Sequence, residues 1–254
     1  VGGEHTVDAF HRGRFFLAQP ATGGHRAGID AMLLASAVPG DFAGALADFG
    51  AGAGAAGLAV AVRCKNAAVT LIENAPEMVA YAHMTLALEE NAALAARCRI
   101  IEADVAAVGR RRAESGLSAN AFDFAIMNPP FNSARDRTTP NALKKAAHVM
   151  SDGLLEAWLR SAASVVRPHG GFAAIIRPQN LPDLLSALRG RFGAASIKPI
   201  HPRPNEAAIR IIVYAVKGSR AALSLRPPLV LHEAGSRFSA EADALINGSA
   251  DLFG

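Results

Sequence analysis

"ALADFGAGAGAAGLAVAVR", residues 45–63, decides the fold. Ala45–Phe49 is a short apolar run that reads as a buried strand. Gly50, Gly52 and Gly54 follow at alternate positions and permit a tight turn without Cβ obstruction. The alanine-rich remainder, to about Arg63, favours helix. Strand, glycine turn and helix together open a βαβ unit, and the helix start offers free N–H groups. A dinucleotide site usually carries GxGxxG, with the pyrophosphate on the helix end. Here the spacing is GxGxG, and Asp48 stands two residues before the first glycine. An acid there disfavours a pyrophosphate and suits an ammonium or a sulfonium. A plain strand-to-helix turn remains the alternative.

Outward from this unit the alternation continues. Ala68–Ile72 and Cys98–Ile101 read as the second and third strands. Between them a helix begins at Pro76, where a first-turn proline belongs, and runs to about Asn91. A short helix is expected near Val105–Gly109, then a charged loop from Arg110 to Asn120. Phe122–Met127 is the fourth strand. Asp152–Val166 reads as a helix with Trp158 on its apolar side, Gly171–Ile176 as the fifth strand and Leu181–Arg189 as a helix. Ile197–Ile200 and Ile209–Val216 follow with no helix between them, the pattern of an antiparallel hairpin closing a parallel sheet. The expected fold is α/β: three layers, Rossmann-like, with a mostly parallel seven-stranded sheet and a C-terminal antiparallel hairpin.

Composition agrees with such a core. Of 254 residues, 51% are hydrophobic and 19% charged, which suits a sizeable core and argues against wholesale disorder. The net charge of +4 is mildly basic and compatible with a polyanionic partner. Cys64 and Cys98 stand apart, outside any CxxC or Cys/His cluster. They read as buried apolar residues of a cytoplasmic protein, excluding a disulfide framework and arguing against zinc. No long apolar span or signal peptide is apparent. The first residue is Val1, which points to a trimmed or truncated start.

Ligands of open α/β sheets bind beyond the carboxyl ends of the strands. After the second strand stands Glu73, able to accept both hydroxyls of a ribose, or else a solvated acid before Asn74, which could start the helix. After the third strand comes Asp104, next to Val105, able to accept from an adenine amine or to cap a helix. After the fourth comes Asn128-Pro129-Pro130-Phe131, more than a strand needs in order to end.

In this order the sequence resembles the class I S-adenosylmethionine-dependent methyltransferases of the small-methyltransferase-domain type. Asp48–Gly54 looks like the glycine-rich cofactor loop, Glu73 the ribose acid and Asp104 the adenine-side acid. Asn128–Phe131 is similar to the Asn/Asp-Pro-Pro-aromatic motif of amino-group methyltransferases. Upstream, Gln19-Pro20 and the segment Gly24–Leu34 are similar to bacterial tRNA adenine-N6 methyltransferases, which modify a valine tRNA. The resemblance runs from about Phe15 to Val216. It implies S-adenosylmethionine as methyl donor, S-adenosylhomocysteine as product, and an RNA substrate, tRNA in particular. It also implies a cofactor set of Asp30, Asp48, Gly50, Gly52, Gly54, Glu73, Asn74, Asp104, Val105 and Asn128. Asp30 is equally a good N-cap for a helix Ala31–Val38. His25 departs from the pattern and reads as a surface histidine. Phe131 is followed by Asn132 rather than a second aromatic, which leaves one ring for stacking.

The chemistry accounts for the motif. An exocyclic amine is a poor nucleophile because its lone pair is delocalised into the ring. The Asn128 side-chain carbonyl and the Pro129 backbone carbonyl can accept its two hydrogens, localise the lone pair and stabilise the developing charge. The prolines fix φ and so hold both acceptors. Phe131 can stack on the base, which must be looped or flipped out of any duplex. Catalysis is expected from Asn128, Pro129 and Phe131 without a metal, because no Asp/Asn cluster is placed for Mg²⁺. Arg135, Arg137, Lys144 and Lys145, in the loop after the motif, are the expected phosphate contacts. Guanine N2, a glutamine amide or a small molecule would suit the same acceptors. A non-catalytic binding module would not need Asn128, Pro129 and Phe131. The expected layout is an N-terminal extension (1–40), a methyltransferase domain (41–218) and a C-terminal tail (219–254) packed on it.

Overall fold

The computed structural model describes residues 4–22, 26–130, 132–133, 149–150, 153–233 and 235–254. It opens with an antiparallel hairpin that no turn signal announced, β1 (His5–Phe10) and β2 (Phe15–Pro20). Its turn is built by His11 and Arg12 in left-handed conformations ahead of Gly13. The first helix, α1 (Ile29–Ser36), starts earlier than expected: Gly28 is its N-cap and Asp30 lies in its first turn.

The βαβ unit then follows as β3 (Ala43–Phe49), α2 (Ala55–Arg63) and β4 (Asn66–Glu73). Next come α3 (Pro76–Ala87), the short α4 (Ala92–Ala95), β5 (Cys98–Glu102), α5 (Gly109–Glu114) and β6 (Phe122–Met127). Two-residue strands β7 (Asn132–Ser133) and β8 (Val149–Met150) pair with each other. The chain continues through α6 (Leu154–Val165), β9 (Val166–Ile176), α7 (Leu181–Leu188), β10 (Phe192–His201) and β11 (Arg210–Lys217). The tail supplies β12 (Ser224–Leu225), β13 (Leu229–Val230) and α8 (Ala240–Ile246).

Several boundaries move for local reasons. The helix expected at Val105–Gly109 is a turn, because the Asp104 carboxylate accepts the Ala106 N–H at 2.8 Å. The helix forms instead in the charged run, where Arg110 pairs with Glu114 one turn on. Helix α3 stops at Ala87 rather than Asn91. The Asn91 side-chain amide is used elsewhere: it accepts from the Phe16 N–H at 3.0 Å and donates to the Phe16 carbonyl at 2.7 Å, as a neighbouring strand would. β9 begins at Val166, not Gly171, through a bulge that carries His169 at φ 65°.

Among the described residues the main sheet has nine strands, in the order β12–β10–β11–β9–β6–β3–β4–β5 with β13 also on β10. Seven of these are the expected set. The two extra strands come from the tail and run parallel to β10. They stay short because Pro227 and Pro228, lying between them, lack the N–H that a ladder needs. β3, β4, β5, β6 and β9 are mutually parallel, while β11 is antiparallel to both its neighbours. Strand order reverses between β3 and β6, the switch point where such sheets open a crevice.

Side-chain alternation divides the core. Leu46, Phe124, Ile126, Ala173 and Ile175 face α1, α2 and α8. Ala47, Ala125, Met127, Phe172 and Ala174 face α6 and α7. A period of two along each strand gives every central strand an apolar face on both sides, as a parallel sheet covered by two helix layers requires. Cys64 is buried and Cys98 half-buried, both as free thiols. No described helix is long and apolar enough to cross a membrane.

Candidate active site

Register brings the strand ends together. Phe49 pairs with Met127 on one side and Ile72 on the other, so Gly50 leaves the sheet between Asn128 and Glu73. Glu73 pairs with Glu102, which sets Asp104 just beyond the next strand. Four segments remote in sequence therefore line one edge.

The glycine loop is held from below and beside. The Gly50 and Ala51 N–H groups both donate to the Ile72 carbonyl, at 2.9 and 3.0 Å. Gly50, Gly52 and Gly54 have φ of 68°, 55° and 97°, values that L side chains rarely adopt. A Cβ on Gly50 would lie 2.5 Å from the Trp158 ring, and one on Gly54 2.8 Å from Leu71. One on Gly52 would meet only the Met78 methyl, at 3.5 Å, so that glycine faces the open side of the loop.

Asp48 lies beneath this loop, 2% exposed. One of its oxygens accepts the Gly57 N–H at 2.8 Å, tying the strand end to the first turns of α2. Burial pushes its carboxyl up to about 7, with the Gly57 hydrogen bond opposing and the charge of Glu73 adding. The Glu73 carboxylate is clamped by backbone donors: one oxygen accepts from Gly52 at 2.9 Å, the other from Asn74 at 2.9 Å and Ala75 at 2.8 Å. A carboxylate has about four acceptor sites, so one on the Gly52-bound oxygen stays available. Asn74 and Asp104 are exposed, and the Val105 side chain is buried in the core beneath Asp104.

Asn128 is half-buried and Pro129 buried, directly after β6. The Asn128 Oδ1 is buried and has no hydrogen-bond partner among the described residues. Such an atom costs stability unless a ligand satisfies it. Asp30 does not approach the loop through a free carboxylate: its Oδ2 accepts from Arg210 Nε at 2.7 Å, which joins α1 to the start of β11. Phe131, Arg135, Arg137, Lys144 and Lys145 lie outside the described residues, as does His25.

Two features were not legible beforehand. The Asn180 Oδ1, after β9, is another buried amide acceptor without a partner among the described residues, marked in the sequence only by an Asn ahead of Leu-Pro. Trp158, read only as a core residue, is also the floor under Gly50. The fit to a nucleoside cofactor is good: an open glycine cradle, a part-free ribose-type carboxylate and an exposed acid at successive strand ends.

Comparison with known proteins agrees. Residues 25–193 match the methyltransferase small domain family. Among curated proteins no significant match is found. The chain is 44% identical to a predicted O-methyltransferase from Agrobacterium tumefaciens of known crystal structure, covering 88% of this chain and 98% of that one with a TM-score of 0.77. The 16S rRNA guanine-N2 methyltransferase of Thermus thermophilus, solved with its methyl donor and guanosine, shares the fold at 21% identity. That alignment covers 84% of this chain and 50% of that one, at a TM-score of 0.55. M. jannaschii TYW2, solved with AdoMet, shares the fold at 10% identity, with 85% of this chain and 87% of that one covered and a TM-score of 0.56.

Proposed function

This chain belongs to the methyltransferase small domain family, and from that premise we propose that it methylates an exocyclic adenine amine, N6, of RNA, specifically tRNA in the cytoplasm. The observation that supports the nitrogen assignment is the buried Oδ1 of Asn128, unpartnered among the described residues, beside Pro129. An amine brings two N–H donors, one for that acceptor and one for the Pro129 carbonyl, whereas a hydroxyl brings a single donor.

The methyl donor is S-adenosylmethionine, which supplies an electrophilic methyl on a sulfonium and leaves as S-adenosylhomocysteine. Gly50, Gly52 and Gly54 form its cradle, with Asn74 at the rim, while Val105 contributes through its backbone beside Asp104, its side chain lying in the core. Glu73 has one acceptor site free for a ribose hydroxyl, and a second hydroxyl would displace a backbone donor. Asp104 keeps one carboxylate oxygen beyond the Ala106 bond for the adenine amine. Asp48 holds the loop from beneath. At the reacting end, Asn128 Oδ1 and the Pro129 carbonyl accept the two hydrogens of the substrate amine. This localises the nitrogen lone pair and meets positive charge as it develops; the C–S bond breaks as the N–C bond forms, and the resulting cationic nitrogen, far more acidic than the amine, then releases its proton to water. In this reading Phe131, which follows the acceptors in sequence, stacks on the base, and Arg135, Arg137, Lys144 and Lys145 meet phosphate; all five lie outside the described residues.

The Agrobacterium relative is described as a predicted O-methyltransferase. A hydroxyl nucleophile calls for a base, and an amide carbonyl is not one. The Glu73 carboxylate is already held by three backbone N–H groups. A planar nitrogen therefore fits better. Guanine N2 and a glutamine amide offer the same donors, and the test distinguishes them. Labelled S-adenosylmethionine is incubated with total RNA and total protein, followed by nucleoside analysis. N6-methyladenosine in tRNA is expected. N2-methylguanosine would change the base, and an O-methylated product would overturn the nitrogen assignment. Label in protein or small molecules with none in RNA would overturn the substrate.

A further inference from the structure

We propose that Asp8 is a positioning residue for the methyl donor: through Gln19 and Arg26 it holds the crossover from β2 to α1 at the glycine loop, against the amino-acid end of S-adenosylmethionine; this rests on the cofactor reading and holds whichever group is methylated. Topology brings the crossover to that site. α3 starts at Pro76, just past Glu73, and runs away from the ligand edge. β2 climbs along it in the opposite sense. The Phe16 N–H donates to Asn91 and the Ala18 N–H to Thr85, both at 3.0 Å, and Ala18 packs with Tyr81 and with Ala53 of the glycine loop. Met78, whose methyl faces Gly52, packs on the same cluster. Pro20 therefore ends β2 at the ligand edge. α1 starts at this edge too, because Asp30 bonds Arg210 at the start of β11, and β11 is antiparallel to β9. On this face α1 covers β6 and β9, α2 links β3 to β4, and α3 links β4 to β5. The chain from Pro20 to Ile29 thus passes the N-terminal end of α2, where the glycine loop lies.

Both ends of this crossover are tied to one carboxylate. Thr6 pairs with Gln19 and Asp8 with Leu17, so Thr6, Asp8 and Gln19 share a face of the hairpin. The Asp8 Oδ2 accepts from Thr6 Oγ1 at 3.0 Å, from Gln19 Nε2 at 2.8 Å and from Arg26 Nη2 at 2.7 Å. The Gln19 Oε1 in turn accepts the Ala27 N–H at 2.7 Å, and Arg26 Nη1 donates to the Pro20 carbonyl at 2.7 Å. Those two bonds close a neck between residues 19–20 and 26–27; residues 23–25 lie outside the described residues. Gln19 is 2% exposed, with its amide nitrogen and its carbonyl both engaged. Asp8 orients both of the long side chains that close the neck.

This network sets position more than it stabilises the fold. The Asp8 and Arg26 side chains are 35% and 39% exposed, and ion pairs at such exposure contribute little to global stability. What the carboxylate supplies is one geometry for two side chains that would otherwise sample many. A wall already held in its bound geometry spares the ligand the cost of ordering it. In the proposed cofactor site adenine belongs at Asp104 beyond β5 and ribose at Glu73 beyond β4. The amino-acid end then falls at the glycine loop beyond β3, beside the crossover.

The test measures the affinity of the whole protein for two ligands by isothermal titration. One is S-adenosylhomocysteine; the other is methylthioadenosine, which has the nucleoside and the sulfur but no amino acid. Asp8→Ala should weaken S-adenosylhomocysteine binding by about 10-fold, the scale of one lost charge-assisted hydrogen bond. Methylthioadenosine affinity should stay at the wild-type value. Asp8→Asn keeps the shape and an acceptor but drops the charge, and should fall between. Arg26→Ala should match Asp8→Ala, and the double variant should bind no more weakly than either, because the two residues act as one unit. Arg12→Ala removes the ion pair to Asp243 at the far end of the same hairpin and should change neither affinity. Equal losses for both ligands, or a loss that Arg12→Ala reproduces, would make Asp8 a structural residue only and overturn the proposal. Wild-type S-adenosylhomocysteine affinity in Asp8→Ala and Asp8→Asn would overturn it as well and leave the cofactor reading standing. If the wild-type protein binds neither ligand, the cofactor reading fails and the proposal with it.

Discussion

Asn128 and Asp48 show how single residues divide the work at this edge. Asn128 keeps a buried acceptor that no described residue satisfies; Asp48 uses an acceptor within the fold, on Gly57. Replacing Asn128 by Ala should leave cofactor affinity intact and lower turnover by at least ~10²-fold, the scale for losing one oriented transition-state partner. Isothermal titration and single-turnover methyl transfer would check the two halves, and wild-type turnover would remove Asn128 from the chemistry. Asp48 makes a pH prediction. Its folded-state carboxyl sits at about 7 against 3.8 ordinarily. Between those values the folded protein binds a proton that the unfolded chain has lost, so this group's contribution to stability falls as pH rises through the window. The loss is at most about 4 kcal/mol. Asp48→Asn keeps an acceptor for Gly57 and cannot ionise, so its stability should decline less than wild type's across that window in urea unfolding. The sequence identified both residues, but only packing showed that Asp48 lies beneath the loop. Solvent access is a tertiary property, and an acid before a glycine run looks the same in either place.

At the scale of elements, the glycine loop depends on a helix that follows it by a hundred residues. α6 brings Trp158 against Gly50, so the loop's path is set by both strand ends and this ring. Gly50→Ala would combine a left-handed φ of 68° with a Cβ 2.5 Å from the ring. A destabilisation of roughly 2–4 kcal/mol is expected, together with weaker cofactor binding. Both are measurable by thermal shift with and without S-adenosylhomocysteine. Strands of the central sheet were legible because apolar runs bounded by glycine, proline and acids mark buried parallel strands. The β1–β2 hairpin was not. Its turn uses His11 and Arg12 at positive φ, residues that carry no turn signal. The charged run at α5 misled for the opposite reason: it is polar enough for a loop, yet rich in good helix formers.

Across the whole molecule, the chain's two ends meet on the α2 side of the sheet. His11 is 3% exposed and neither ring nitrogen has a hydrogen-bond partner among the described residues. It packs edge-on to Phe15 and close to Gly248 of the tail. Arg12 pairs with Asp243 of α8, and Arg63 of α2 with Asp251. Burial, then the charges of Arg14 and Arg63, pull the His11 pKa down from 6.5 to about 4. The unfolded chain binds a proton there first, so this group's contribution is complete above 6.5 and is lost as pH falls toward 4, by at most about 3 kcal/mol. His11→Asn tolerates the positive φ and should flatten that acid limb, read from urea midpoints. Asp48 acts oppositely over an overlapping window, so each effect is isolated only by the difference between variant and wild type. The sequence by itself determined the α/β class, the order of strand-end residues and the resemblance to methyltransferases, because periodicity, breakers and motif spacing are local. Tertiary structure alone decided which acceptors stay unpaired, which acid lies beneath the loop, and that the tail extends the sheet to the ligand edge. Those are matters of burial and register between segments far apart in the chain, and no local pattern encodes them.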